Sequence, residues 1–253
     1  EPFKGNPAAV CMLQSPRSDT WMQQVAAEMA LSETAFLLPK GEGYNLRWFT
    51  PRTEVDLCGH ATLASAHILY EFGFFYLDET ITFYTLSGKI TSSFSNGTIE
   101  LDMPRRNPTP LPITPEIVDV LGLEPRAAAV YTDQVLLVEL ESPEAVRSFE
   151  PDWKKIATLQ QVDLIITAPC EEKYDFISRF FSPKTGIYED PVTGMAHCVL
   201  APYYAERLGK SKFHAYQASP RGGEVWARLG EDRVYIGGKA VTVAQGELLH
   251  QKA

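Results

Sequence analysis

An α+β fold built from two homologous halves is predicted for this 253-residue sequence by an internal repeat and by strand-like segments that outnumber helical ones. Arg47-Trp48-Phe49-Thr50-Pro51-Arg52-Thr53 reads against Arg179-Phe180-Phe181-Ser182-Pro183-Lys184-Thr185, with four identities and three conservative changes over seven positions. After a three-residue insertion in the second copy, Cys58-Gly59-His60-Ala61 falls on Thr193-Gly194-Met195-Ala196. At the same offset Gly88-Lys89-Ile90 meets Gly223-Glu224-Val225. Each half therefore reads strand, glycine turn, helix, strand, glycine turn, strand.

The elements follow from local patterns. Asp19 suits the cap of a helix over 20–29, with Met22, Val25, Ala26 and Met29 spaced to share one face. A second helix is predicted over 61–70, closed by Gly73. The segments 80–86, 98–103, 135–140, 162–168 and 233–236 are rich in β-branched and aromatic residues between turn residues, and read as strands. Five prolines, Pro104, Pro108, Pro110, Pro112 and Pro115, make 104–115 a stiff linker rather than an element. A boundary there gives halves of 1–106 and 107–253, with the last strand free to cross back to the first half. A proline-rich loop inside one domain is the competing reading.

Composition narrows the partners. A chain that is 45% hydrophobic can bury a sizeable core, and its net charge of −9 argues against a nucleic-acid backbone as ligand. It does not argue against a small anion, which backbone N–H groups at helix starts can hold within an acidic protein. No apolar run approaches the roughly 18 residues of a membrane span. No leader opens the chain, although its start at Glu1 suggests that part of a first strand precedes it. Cys11, Cys58, Cys170 and Cys198 have no CxxC pair and no histidine at zinc-finger spacing, which predicts free thiols, a cytoplasmic setting and no metal.

Three stretches carry candidate chemistry. Glu33 stands in Leu31-Ser32-Glu33-Thr34-Ala35-Phe36 at the head of an apolar strand, where burial would raise a carboxyl toward the range needed to take and give a proton. Ser-Glu before an apolar run equally suits a solvated cap. In Asp56-Leu57-Cys58-Gly59-His60-Ala61-Thr62 a glycine opens a helix between a thiol and an imidazole, an arrangement suited to a carboxylate or an enolate-like oxygen, or to simple packing. Glu189-Asp190-Pro191-Val192-Thr193-Gly194-Met195 repeats the glycine start without the thiol, and Asp190 suits either a hydrogen bond to a catalytic group or a loop-holding turn. Gly5-Asn6-Pro7-Ala8-Ala9-Val10 and Gln217-Ala218-Ser219-Pro220-Arg221-Gly222-Gly223 read as tight turns opening onto strands or ligands.

Taken in order, Gly5-Asn6-Pro7, Ser32-Glu33-Thr34-Ala35-Phe36, Phe49-Thr50-Pro51, Cys58-Gly59-His60-Ala61-Thr62, Leu86-Ser87-Gly88, Glu189-Asp190-Pro191-Val192-Thr193-Gly194 and Arg221-Gly222-Gly223 resemble the phenazine-biosynthesis PhzF-like family over nearly the whole chain. The resemblance implies a diaminopimelate epimerase-like fold of two pseudo-twofold halves, each a curved, mixed sheet around a central helix, with the site in the cleft between them. It implies a cofactor-independent isomerase that shifts a proton beside a carboxylate, and a homodimer. Carried over, Glu33 is the acid/base, His60 and Asp190 shape and polarise the site, and Cys58, Gly59, Ser87, Gly88, Thr193, Gly194 and Met195 bind substrate. The family's phenazine enzyme has a serine where this chain has Met195, which cannot donate a hydrogen bond. The phenazine precursor is therefore not the expected substrate. Two other readings stay open: an amino-acid racemase using Cys58, for which the repeat sets Thr193 where a second thiol is needed, and a non-catalytic small-molecule-binding protein.

Overall fold

The computed structural model describes residues 1–171 and 173–249, and the chain divides into two compact units, Glu1–Met103 with Gly237–Ala253, and Pro104–Ile236. The first unit runs β1 (Ala8–Met12), α1 (Asp19–Met29), β2 (Glu33–Lys40), β3 (Gly43–Phe49), β4 (Glu54–Val55), α2 (Gly59–Glu71), β5 (Ile81–Thr85), β6 (Gly88–Ser95) and β7 (Thr98–Pro104). Its sheet has the order β1-β2-β3-β5-β6-β7, with β4 on β3. The pairs β1–β2 and β3–β5 are parallel and the others antiparallel.

The second unit adds β8 (Thr109–Leu111), α3 (Pro115–Leu121) and β9 (Ala127–Tyr131), then repeats the first unit's plan. It continues with β10 (Val135–Glu139), α4 (Pro143–Ser148), α5 (Trp153–Ile156), β11 (Asp163–Pro169), β12 (Phe176–Ser182), β13 (Ile187–Asp190), α6 (Gly194–Leu208), β14 (Lys212–Gln217), β15 (Gly223–Leu229) and β16 (Arg233–Gly238). The order β10-β11-β12-β14-β15-β16, with β13 on β12, copies β1-β2-β3-β5-β6-β7 with β4 on β3. The parallel pairs recur at β10–β11 and β12–β14. A seven-residue sequence match thus marks a repeat of entire sheet topology.

Each plan needs one helix buried against its sheet. α2 buries Ala61, Thr62, Ser65, Ala66 and Leu69, small residues that let the backbone lie close to the strands. α6 buries every residue from Ala196 to Tyr204, the mark of a helix enclosed on all sides. Their polar residues are answered by the preceding turn: Thr62 donates to Cys58 O, Ser65 to Ala61 O and His197 Nδ1 to Thr193 O. Pro202 lacks the N–H that would bond Cys198 O, and the backbone N–H of Arg106 takes that place at 3.2 Å.

That bond bears on the segment expected to be a linker. Pro104 ends β7, Arg106 is fixed to α6, Thr109–Leu111 pairs with β9, and Pro115 opens α3 at the first helical turn. The prolines sit where no ladder or helix N–H is needed, so they fix a path and still leave room for elements. Smaller differences concern caps. Ser18, not Asp19, caps α1 by accepting from Trp21 N, and Phe72 rather than Gly73 is the C-cap of α2. Trp21 joins Met22 and Ala26 on the buried face of α1, whereas Met29 is exposed.

The repeat also preserves an ion pair. Arg47 on β3 grips Glu54 through Nε and Nη2, each at 2.6 Å, and Arg179 on β12 grips Glu189 at 2.7 and 2.9 Å. Arg179 additionally donates Nη1 to Val146 O and Phe149 O at the end of α4, and its side chain is only 8% exposed against 22% for Arg47. Arg179→Ala leaves a buried carboxylate and two carbonyls without their donor, and is expected to cost about 3–5 kcal/mol in urea unfolding. Arg47→Ala, at the wetter pair, is expected to cost on the order of 1–2 kcal/mol. Equal losses at the two positions would contradict this account.

Candidate active site

In the first unit, β2 begins at Glu33, so the carboxyl enters the fold at the point where chain turns from α1 into a strand whose first five residues are buried. Glu33 is 8% exposed. Its Oε2 lies 3.2 Å from Nε2 of His60, on the first turn of α2. The contact is of ion-pair length, but its angle is off the line of a regular hydrogen bond. Burial pushes the His60 imidazole down to about 4, so it is neutral near pH 7.

Around this pair the three loops of the motif come together. Cys58 is the N-cap of α2, buried, with Sγ 3.6 Å from His60 Nδ1. Asn6 brings Nδ2 to 3.2 Å from the same Nδ1, and Ser32 Oγ donates to Asn6 Oδ1 at 3.2 Å. An amide donor at Nδ1 makes that nitrogen the acceptor and leaves the proton on Nε2, facing Glu33. Ser87 Oγ donates to Asp56 O at 2.7 Å and ties the β5–β6 turn to the segment leading into Cys58. Gly88 completes that turn with φ +99°, a conformation closed to most side chains.

The second unit builds its counterpart from different chemistry. Thr193 is the N-cap of α6 and donates Oγ1 to Asp190 Oδ2, a short turn held by its own side chains. Gln217, fully buried on β14, donates Nε2 to Asp190 O at 2.7 Å and accepts from Thr193 N through Oε1 at 2.8 Å. Ser219 donates to Pro191 O and accepts from Gly222 N. Gly222 is required twice over: its φ is +63°, and a Cβ there would meet Tyr216 Oη at 1.9 Å. Gly194 and Met195 follow as the first residues of α6.

Glu33, Cys58 and His60 thus form one cluster in the first unit, while Asp190, Thr193 and Gly194 form another in the second. Asn6, Ser32, Gln217 and Ser219 complete these clusters; in the sequence they stand inside turns and motifs, with nothing that assigns any of them a role at the site. Asn6 had the best available signal, an Asn-Pro turn following a glycine. All four cysteines are free thiols. Cys198 is held inside α6, where burial pushes its thiol up to about 12. Among the described residues no helix is long and apolar enough to cross a membrane.

Known proteins resemble this chain along its full extent. Residues 1–246 match the family model described as phenazine biosynthesis-like protein (PhzC-PhzF). An uncharacterized isomerase of Halalkalibacterium halodurans is 50% identical over 98% of this chain and 94% of its own length. The crystal structure of a PhzF-family phenazine biosynthesis protein from Enterococcus faecalis superposes with a TM-score of 0.94 at 42% identity, covering 99% of this chain and 95% of that one. A probable proline racemase from Agrobacterium radiobacter shares the fold at a TM-score of 0.59 and 10% identity, over 94% of this chain and 90% of that one.

One consequence can be measured on stability. His197 is fully buried, burial pushing it from 6.5 down to about 4 with the Thr193 carbonyl opposing, and Phe176 stacks beside its ring. Between those pH values the unfolded chain binds a proton that the folded one does not. The contribution of this neutral imidazole is whole above about pH 6.5 and is lost as pH falls toward 4. His197→Gln should therefore flatten the fall in urea-unfolding free energy between pH 7 and pH 5 by on the order of 2 kcal/mol. Parallel profiles for the two proteins would show that His197 binds protons alike in the folded and unfolded chain, against this account.

Proposed function

The chain belongs to the phenazine biosynthesis-like protein family and is an isomerase, and from that premise we propose that it shifts a proton beside the carboxylate of a small molecule without a cofactor, with Glu33 as the general acid/base. The observation that carries this reading is the buried Glu33 carboxyl facing the Nε2–H of a neutral His60 whose tautomer Asn6 sets. Glu33 takes the proton from one carbon as carboxylate and returns it to another as carboxylic acid, so no net charge enters or leaves. His60 Nε2–H steadies the carboxylate form and sets its orientation. Under this proposal the start of α2 at Gly59 holds the substrate carboxylate or the developing enolate-like oxygen through its backbone N–H groups. In this reading Asp190 and Gln217 hold the Thr193-Gly194 turn in shape.

The racemase alternative needs a second thiol, whereas the repeat supplies Thr193, and the Cys198 thiol is too basic and too enclosed to serve. A net charge of −9 supports a small-molecule partner over nucleic acid, four free thiols support a reducing, cytoplasmic setting, and family resemblance supports a homodimer.

Turnover is best sought as deuterium incorporation from heavy water into carboxylate-bearing metabolites. Glu33→Gln should lower it by at least about 10²-fold with an unchanged circular dichroism spectrum, while Cys58→Ser retains it. The reverse pattern would install Cys58 as the base, and ligand binding without exchange in the unaltered protein would make it a binding protein. At the second helix start, Met195 removes one hydroxyl donor, and Met195→Ser should raise kcat/KM for the phenazine precursor roughly threefold to tenfold. Efficient turnover of that precursor by the unaltered protein would defeat this last point.

A further inference from the structure

We propose that Cys58, His60 and Glu33 also capture a thiophilic divalent cation, with Zn2+ the best match, and that the bound ion reversibly blocks the isomerase. One donor atom from each of the three residues lies within 4.8 Å of the other two, and all three belong to the first unit. The set combines a thiol, an imidazole and a carboxylate, which suits zinc and excludes magnesium, an ion that demands oxygen donors in octahedral array. One edge of its geometry is already made. Cys58 Sγ and His60 Nδ1 are 3.6 Å apart, and a tetrahedral zinc with Zn–S of about 2.3 Å and Zn–N of about 2.0–2.1 Å spans an S···N edge of about 3.6 Å. Glu33 is the third donor: its Oε2 lies 3.2 Å from the other ring nitrogen, Nε2, so the carboxylate must turn from Nε2 toward the Sγ–Nδ1 edge to reach the ion.

The rearrangement this requires is local. The Cys58 thiol gives its proton to solvent as the S–Zn bond forms, and the Asn6 amide withdraws from Nδ1, surrendering one neutral hydrogen bond. Cys58 and His60 are the N-cap and second residue of a long helix, so their spacing is set by backbone that is already ordered. Three protein ligands leave the fourth tetrahedral position to water. The blockade rests on the reading of Glu33 as proton carrier, because a carboxylate bound to zinc cannot take a proton from substrate. Capture itself does not.

Titration of the purified protein with Co2+ tests capture without substrate, through the near-ultraviolet charge-transfer absorbance of a thiolate–Co2+ bond. The band should appear, be displaced by Zn2+, and resist millimolar Mg2+. Cys58→Ser should abolish it, His60→Ala and Glu33→Gln should each weaken affinity at least about tenfold, and Cys11→Ser and His67→Ala should leave it unchanged. Absence of the band, or its persistence in Cys58→Ser, overturns the site and leaves the Glu33 mechanism standing. Zn2+ should also arrest deuterium exchange, with recovery on adding a chelator. A charge-transfer band with undiminished exchange overturns the blockade and counts against Glu33 as the proton carrier.

Discussion

Arg47 and Arg179 each fork onto a glutamate five residues ahead of a glycine that opens a buried helix. A guanidinium on one strand and a carboxylate on the short strand beside it fix the loop between them, and with it the direction in which the chain enters α2 or α6. Both candidate clusters depend on that entry, since Cys58 and His60 in one unit and Thr193 in the other are placed by the first turn. The interaction tolerates burial because the pair is bidentate and, for Arg179, because two carbonyls at the end of α4 take its remaining donors.

Enclosing a helix sets a second constraint, that no polar group inside it may go unanswered. The sequence meets most of it with side chains that bond their own backbone one turn back, as Thr62, Ser65 and His197 Nδ1 do, while His197 Nε2 stays without a partner among the described residues. Where Pro202 breaks the ladder, the main chain of Arg106 supplies the missing donor. The proline in α6 and the proline-rich path before β8 are thereby two parts of one solution.

The repeated scaffold carries unequal chemistry. Where the first unit has Cys58 and His60, the second has Thr193 and Met195, and among the described residues the cluster of carboxylate, thiol and imidazole lies in the first. The second invests instead in neutral hydrogen bonds from Gln217 and Ser219 that hold a turn. Those residue types suit the proposed one-base proton shift better than the matched pair of bases that a racemase needs.

Much of this was legible in the sequence. The repeat of Arg47-Trp48-Phe49 in Arg179-Phe180-Phe181 required duplicate strand plans, because identical local patterns form identical elements, and the ordered motifs carried the family and the α+β class. Glu33 at the head of an apolar run is open to two readings, a buried carboxyl or a solvated cap, and burial decides between them. What sequence could not decide were relations set by distance along the chain: that Asn6, bonded by Ser32, meets His60 and fixes its tautomer, that Gln217 spans the Asp190–Thr193 turn, and that Arg106 answers Pro202. Local propensity reads neighbours within a few residues, and so the segment from Pro104 to Pro115 reads as a linker. Only tertiary structure decides which distant donor meets a given acceptor, because burial removes water as the alternative partner and leaves one residue able to fill the place.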